Sequence, residues 1–101
     1  MRIRPGIDVP DEQLAELCER FAVERLEVFG SSVRGDFRAD SDIDLLVTFR
    51  PGKRVGLLHL VGLQLELQAL PGVKVDLVPR SGLKPGIRDA VLEEARELFA
   101  A

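Results

Sequence analysis

Apolar residues recur every three to four positions in three stretches of the chain, a spacing typical of amphipathic helices. The first predicted helix begins near Pro10 and runs to about Val23, and a leucine-rich helix covers residues 55–70. A last predicted helix carries an apolar face made of Ile87, Val91, Ala95 and Leu98. Because acidic residues fill its other face, we expect Glu93, Glu94 and Glu97 to be ordinary solvated side chains.

Three short runs of branched and aromatic residues alternate with these helices and predict strands over residues 26–29, 43–49 and 73–78. Gly30 ends the first strand, and a short helix over residues 31–37 opens at Ser31. Helices and strands that alternate in this way predict an α/β fold with helices packed on a small sheet.

Composition limits the possible classes of protein. The chain has 101 residues, the length of a single domain spanning residues 1–101. Its net charge of −3 argues against a bulk attraction to nucleic acid, and one cysteine, Cys18, cannot form an intramolecular disulfide. Because we find neither a signal peptide nor an apolar run of membrane-spanning length, we expect a cytoplasmic protein without a membrane association.

The first candidate for chemistry is the turn Gly30-Ser31, which lies between a strand and a predicted helix. Glycine allows a ligand to approach the backbone closely, and free N–H groups at such a turn favour phosphate oxygens. The alternative is an ordinary turn with a serine cap, and the pair alone does not exclude it.

The second candidate is the pair Asp42 and Asp44 at the head of the strand over residues 43–49. Residues two apart on a strand project from the same face, so the two carboxylates lie side by side. Such a pair repels itself unless a cation lies between the charges, and Mg²⁺ prefers carboxylate and phosphate oxygens. Two aspartates that only cap a strand edge are the alternative.

Asp76 is the third candidate, because an aspartate is disfavoured inside the apolar strand over residues 73–78. Alternation places it on the face opposite Val75 and Leu77. The alternative is an edge strand with a wet outer face, on which Asp76 pairs with Lys74 or an arginine. Taken together, however, a phosphate-binding turn and three carboxylates on two strands are the groups that two-metal phosphoryl transfer needs.

The chain resembles the DNA polymerase β-like nucleotidyltransferases in its signature motif. That motif is Gly30-Ser31, ten further residues, and then Asp42-Ile43-Asp44. The fuller stretches at residues 29–35 and 41–47, and the later Val75-Asp76-Leu77-Val78, are similar to the minimal nucleotidyltransferase (MNT) branch. The resemblance implies the small mixed sheet of the polymerase β-like fold and an enzyme that uses ATP.

The resemblance also implies roles for individual residues. Asp42 and Asp44 would each ligate two Mg²⁺ ions with nucleotide bound, and Asp76 would complete the site and accept the proton of the incoming hydroxyl. Gly30 and Ser31 would hold the β and γ phosphates. Arg34 matches an arginine usual in the MNT branch, although a solvated arginine at the end of the short helix is nearly as good an interpretation.

Members of the MNT branch typically act as antitoxins beside a HEPN-domain toxin, onto whose tyrosine they transfer AMP. The chain has no tyrosine, so we expect the acceptor on another protein. A binding-only antitoxin, or transfer to a small molecule or an RNA end, remains an alternative.

The leucine-rich helix carries more apolar surface than one core-facing side needs. It indicates either a helix buried within its own core or an oligomer.

Overall fold

The computed structural model describes all 101 residues and is built around a four-stranded mixed sheet. Its strands, with a separate N-terminal pair, are β1 (Arg2–Arg4), β2 (Ile7–Asp8), β3 (Val23–Phe29), β4 (Ile43–Phe49), β5 (Val75–Pro79) and β6 (Arg96–Ala100). Its helices are α1 (Asp11–Arg20), α2 (Ser31–Arg34), α3 (Leu57–Ala69) and α4 (Pro85–Glu94), and a 3-10 turn covers Arg80–Gly82.

The order of strands in the sheet is β5-β4-β3-β6. β4 pairs in parallel with β5 and antiparallel with β3, and β3 pairs antiparallel with β6. The predicted α/β class with a small mixed sheet is therefore confirmed, and β4 has the bounds that the sequence predicts.

One face of the sheet forms the hydrophobic core beneath α1 and α3. From β4 it receives Ile43, Leu45 and Val47, each at most 4% exposed, while Leu63 of α3 is fully buried. Because strand side chains alternate, Asp44 must project from the other face of the sheet. The packing of the core thus decides which face carries the charged residues.

The ends of three predicted helices are wrong. The short helix α2 ends at Arg34 instead of residue 37, because Gly35 takes a left-handed φ of 84°. The first helix ends at Arg20 instead of Val23, because Ala22 takes a positive φ of 58° and Val23 starts β3. The last helix ends at Glu94, since Ala95 is extended at ψ 136°, and Leu98 lies in β6. Residues 96–100 are extended because β6 forms backbone hydrogen bonds with the edge of β3 and so completes the sheet.

The N-terminal hairpin of β1 and β2 has no counterpart in the sequence prediction. Its strands are three and two residues long, too short for a periodic pattern to register. Arg96 of β6 donates hydrogen bonds to the carbonyls of Arg2 and Ile3, which fastens the hairpin to the main sheet.

The leucine-rich helix α3 is only partly buried in its own core. Leu63 and Leu67 are buried, but an apolar stripe of its outer side is exposed, namely Leu57, Leu58, Val61 and Leu65. No helix of the protein combines the length and apolar character needed to cross a membrane.

Candidate active site

Two of the three predicted carboxylates lie on neighbouring strands at the same level. Asp44 is the second residue of β4, Asp76 is the second residue of β5, and the parallel register pairs them directly. Neighbouring strands lie about 4.8 Å apart. Both residues alternate with core residues, so their side chains share the face of the sheet that α1 and α3 leave uncovered.

Asp42 directly precedes β4 and, unlike Asp44 and Asp76, lies outside the strand pairing. Its Oδ2 lies 3.8 Å from the Nζ of Lys74, and both side chains are largely in solvent. The alternative in which Lys74 neutralises Asp76 is therefore not what the structure shows, although β5 is indeed an edge strand. Asp76 is exposed and has no ion pair.

The electrostatics of Asp44 reflect this crowding. Partial burial, followed by the charges of Asp76 and Asp42, raises the pKa of the Asp44 carboxyl above its ordinary value, while Arg34 acts in the opposite direction. The site therefore brings like charges together, and the charge of Arg34 offsets their effect on the Asp44 carboxyl only in part.

Gly30 lies directly against the Asp44 carboxylate. Its φ of +73° is a left-handed conformation, and a Cβ atom at this position would overlap the Asp44 carboxylate, whose carboxyl carbon would be only 3.2 Å away. Two independent reasons therefore favour glycine at position 30. One is the backbone conformation, and the other is the space that the Asp44 side chain occupies. The structure therefore brings the Gly30-Ser31 turn against Asp44, as the predicted site requires.

Arg34 ends the short helix α2 on the same side of the sheet. Its Nε donates to Asp36 at 3.5 Å, and its Nη1 donates to both carboxylate oxygens of Glu94, at 3.3 and 3.4 Å. Asp36, and after it Glu94, raise the pKa of the guanidinium. Arg34 is exposed, as a solvated arginine would be, but Glu94 links its guanidinium to the backbone N–H of Gly30.

Glu94 is a site residue that sequence reasoning assigned to an ordinary solvated face. Its Oε1 accepts a hydrogen bond from the backbone N–H of Gly30 at 2.9 Å, and its side chain is only 25% exposed. Nothing in the sequence signals this contact, because it joins the end of α4 to a turn 64 residues earlier. The expectation of an ordinary solvated Glu94 is therefore wrong, and its carboxylate is a fourth one beside the three aspartates.

The donor set suits a hard divalent cation. Asp42, Asp44 and Asp76 offer only carboxylate oxygens, which Mg²⁺ prefers. Burial, and after it the charges of Asp76 and Asp42, raise the pKa of Asp44, and a bound cation would offset both effects. No three acidic, histidine or cysteine side chains converge as a preformed metal cage. Magnesium sites completed by substrate phosphates have this open character.

The fold and the site together define a nucleotidyltransferase of the polymerase β-like class. A family model described as the nucleotidyltransferase domain matches residues 10–98, a range that contains Gly30, Ser31 and all three aspartates. The protein adenylyltransferase MntA of Thermococcus cleftensis is 49% identical over 79 residues, which cover 78% of each chain. The chain belongs to this nucleotidyltransferase family, within its minimal branch.

Solved structures agree with this assignment. A protein described as a minimal nucleotidyltransferase is 46% identical and superposes with a TM-score of 0.72 over 87% of this chain and 88% of its own. A chain in the complex of the tri-AMPylated HEPN toxin of Shewanella oneidensis with MNT antitoxin is 17% identical and has a TM-score of 0.64. The match covers 90% of this chain and 70% of that one, and it supports the shared fold.

Proposed function

We propose that the protein transfers AMP from Mg²⁺-bound ATP to a hydroxyl group, most simply a tyrosine, of a partner HEPN toxin and thereby acts as its antitoxin. The observation that carries the proposal is the direct pairing of Asp44 with Asp76 beside Gly30. The relative named a protein adenylyltransferase, and the complex of an AMPylated toxin with MNT antitoxin, support the type of acceptor.

The reaction replaces one bond to the α-phosphorus by another. The acceptor oxygen attacks the α-phosphorus, the bond from that atom to the bridging oxygen of the β-phosphate breaks, and pyrophosphate leaves. Two Mg²⁺ ions held by Asp42, Asp44 and Asp76 would activate the attacking oxygen and neutralise the triphosphate.

Side chains and backbone groups of the chain would accept the proton and bind the phosphates. Asp76, exposed on the edge strand, would accept the proton that the acceptor hydroxyl loses. Ser31 and the N–H of Gly30 would hold the β and γ phosphates, and Arg34 would balance the charge of the departing pyrophosphate. In this arrangement the leaving group would lie over the turn and the acceptor over β5.

The acceptor lies on another protein if it is a tyrosine, because these 101 residues include none. A small-molecule or RNA-end acceptor is the weaker alternative, since the net charge of −3 gives no bulk attraction to RNA. A HEPN reading frame beside the gene would favour the protein acceptor.

A binding-only antitoxin is the second candidate, and one observation favours it. The exposed apolar stripe of α3 is of the kind that a partner protein covers. The doubly substituted variant Asp42→Ala/Asp44→Ala separates the two mechanisms when it is expressed beside the toxin. If the variant no longer rescues growth yet still binds the toxin, catalysis is the mechanism, whereas full rescue would leave only complex formation.

A further inference from the structure

Arg4 of the N-terminal hairpin is a buried cation that the proposed chemistry does not use. It is only 3% exposed, although arginine is among the residues least often buried. It has no carboxylate partner, because its two hydrogen-bond acceptors are a serine hydroxyl and a backbone carbonyl. Burying a guanidinium among neutral groups costs free energy, so its position needs a reason other than the packing of the hairpin.

The two contacts of Arg4 reach both halves of the signature motif. Its Nη1 donates to Oγ of Ser32 at 3.3 Å, and its Nη2 donates to the carbonyl oxygen of Ser41 at 2.9 Å. Ser32 follows the Gly30-Ser31 turn, and Ser41 directly precedes Asp42. The guanidinium also lies over the ring of Phe37, 4.8 Å from its centroid.

The segment between these two contacts has little structure of its own. Residues 35–42 contain neither helix nor strand, and Asp42 stands outside the strand pairing that fixes Asp44. A planar guanidinium with donors on separate nitrogen atoms can hold two acceptors at a set distance, which a single ammonium group cannot. Within this segment, hydrogen bonds join only Arg38 and Ser41, so Arg4 supplies the link between Ser41 and the phosphate-binding turn.

We propose that Arg4 is a positioning residue, which holds the phosphate-binding turn and Asp42 in register by bridging Ser32 and Ser41. The inference rests on the proposed function of those residues. Arg4 lies outside the residues 10–98 that match the nucleotidyltransferase domain, so the hairpin contributes to the site from beyond the matched range.

The test compares Arg4→Lys with Arg2→Lys in the full chain. Arg2 lies on the same strand, is exposed and pairs with Asp8 across the hairpin, so its substitution controls for changes to the hairpin itself. We expect Arg4→Lys to raise the Mg²⁺ concentration for half-maximal nucleotidyl transfer about tenfold, the loss of one charge-assisted hydrogen bond. Arg2→Lys should leave it unchanged.

Hydrogen exchange supplies a readout that does not depend on activity. In Arg4→Lys the amides of residues 31–42 should exchange about tenfold faster, while those of α3 keep their wild-type rates. A merely structural role would speed exchange in both regions together and overturn the proposal, as would wild-type exchange in residues 31–42. Arg4→Met is the stronger change, and if it does not fold the lysine variant carries the test.

Failure of this inference differs from failure of the proposed function. A wild-type protein that transfers no nucleotide would contradict the function, and the local exchange of residues 31–42 would still decide whether Arg4 is a clamp. A wild-type protein that transfers nucleotide, with an Arg4→Lys variant identical in Mg²⁺ dependence, would leave the function standing and refute the role of Arg4.

Discussion

Asp44 and Asp76 face each other across the only parallel strand pair of the sheet, and both point away from the hydrophobic core. This pairing lets two distant parts of the sequence form one acidic site. It also carries a cost, because the two charges repel each other at close range. A cation bound between Asp44 and Asp76 would therefore reduce their repulsion and stabilise the fold.

The first prediction concerns this repulsion. Replacing Asp44 by Asn should stabilise the metal-free protein at neutral pH by up to about 1 kcal/mol, because two partly solvated charges at strand spacing repel by roughly that amount. In a domain of this size the gain corresponds to roughly 4–8 °C in Tm. Asp40→Asn, an exposed aspartate in the neighbouring loop, serves as the control in thermal unfolding with EDTA.

The same residue sets a pH dependence of stability. Because the folded-state pKa of Asp44 is raised, the folded chain binds its proton more tightly than the unfolded chain. The contribution of Asp44 to stability therefore falls as pH rises from the ordinary carboxyl pKa through the raised one. Urea unfolding across that window should show this slope in the wild type and a weaker one in Asp44→Asn; equal slopes would contradict the assignment.

The second prediction concerns Gly30. Gly30→Ala combines a left-handed φ with a clash against the Asp44 carboxylate, whereas Gly52→Ala has a similar φ of +79° and open space around its Cβ. We expect Gly52→Ala to lose about 1–2 kcal/mol for its positive φ. Gly30→Ala should lose about 1–3 kcal/mol more, because its ψ of −147° lies outside the αL region and its Cβ would meet the Asp44 carboxylate. Denaturant unfolding measures both, and equal losses would mean that Asp44 does not occupy that space.

The third prediction concerns Glu94. Its carboxylate occupies the Gly30 N–H and the Arg34 guanidinium, two donors that we propose for the triphosphate. Glu94→Gln keeps an acceptor for Gly30 but removes a negative charge near the phosphates, so affinity for Mg·ATP should rise about fivefold, or about 1 kcal/mol. Titration calorimetry with a non-hydrolysable analogue measures the change.

Glu93→Gln is the matched control for that experiment, since Glu93 is an exposed neighbour on the same helix. It should leave the affinity within twofold of the wild type. Weaker binding by Glu94→Gln would show instead that Glu94 holds the turn in its binding conformation.

The fourth prediction concerns Cys18, which packs in the core beneath the sheet. Burial, with a smaller contribution from Glu19, raises the pKa of its thiol to about 12. Because only the thiolate reacts, Cys18 should stay unmodified by a disulfide reagent at pH 8 and react fully in urea. Fast modification of the native protein would place the residue nearer the surface than the structure does.

Local sequence signals predict the centre of the fold better than its edges. β4 has the predicted bounds because its apolar alternation is long and its burial strong. Local signals do not predict β6, because Ile87, Val91, Ala95 and Leu98 fit a helical period. Only pairing with β3 makes residues 96–100 extended. The N-terminal hairpin has no sequence signal, because its strands are too short to show a period.

The same distinction applies to the site. Gly30, Ser31, Asp42 and Asp44 are recognisable because a local motif carries them, and Asp76 because it interrupts an apolar strand. The structure pairs Asp76 with Asp44, which lies against Gly30. Arg4 and Glu94 cannot be recognised from the sequence, because their contacts are with residues 28 to 64 positions away. Such contacts depend on the packing of whole elements, which no single stretch of sequence encodes.

The most direct test of the central claim is transfer of label from α-³²P-ATP to the partner HEPN protein in the presence of Mg²⁺. Parallel reactions contain γ-³²P-ATP, or the Asp76→Asn variant, or its exposed control Asp40→Asn. We predict α-label on a tyrosine of the partner, no γ-label, loss of transfer in Asp76→Asn and full transfer in Asp40→Asn. Absence of α-label from a mixture in which the two proteins bind each other would contradict the account.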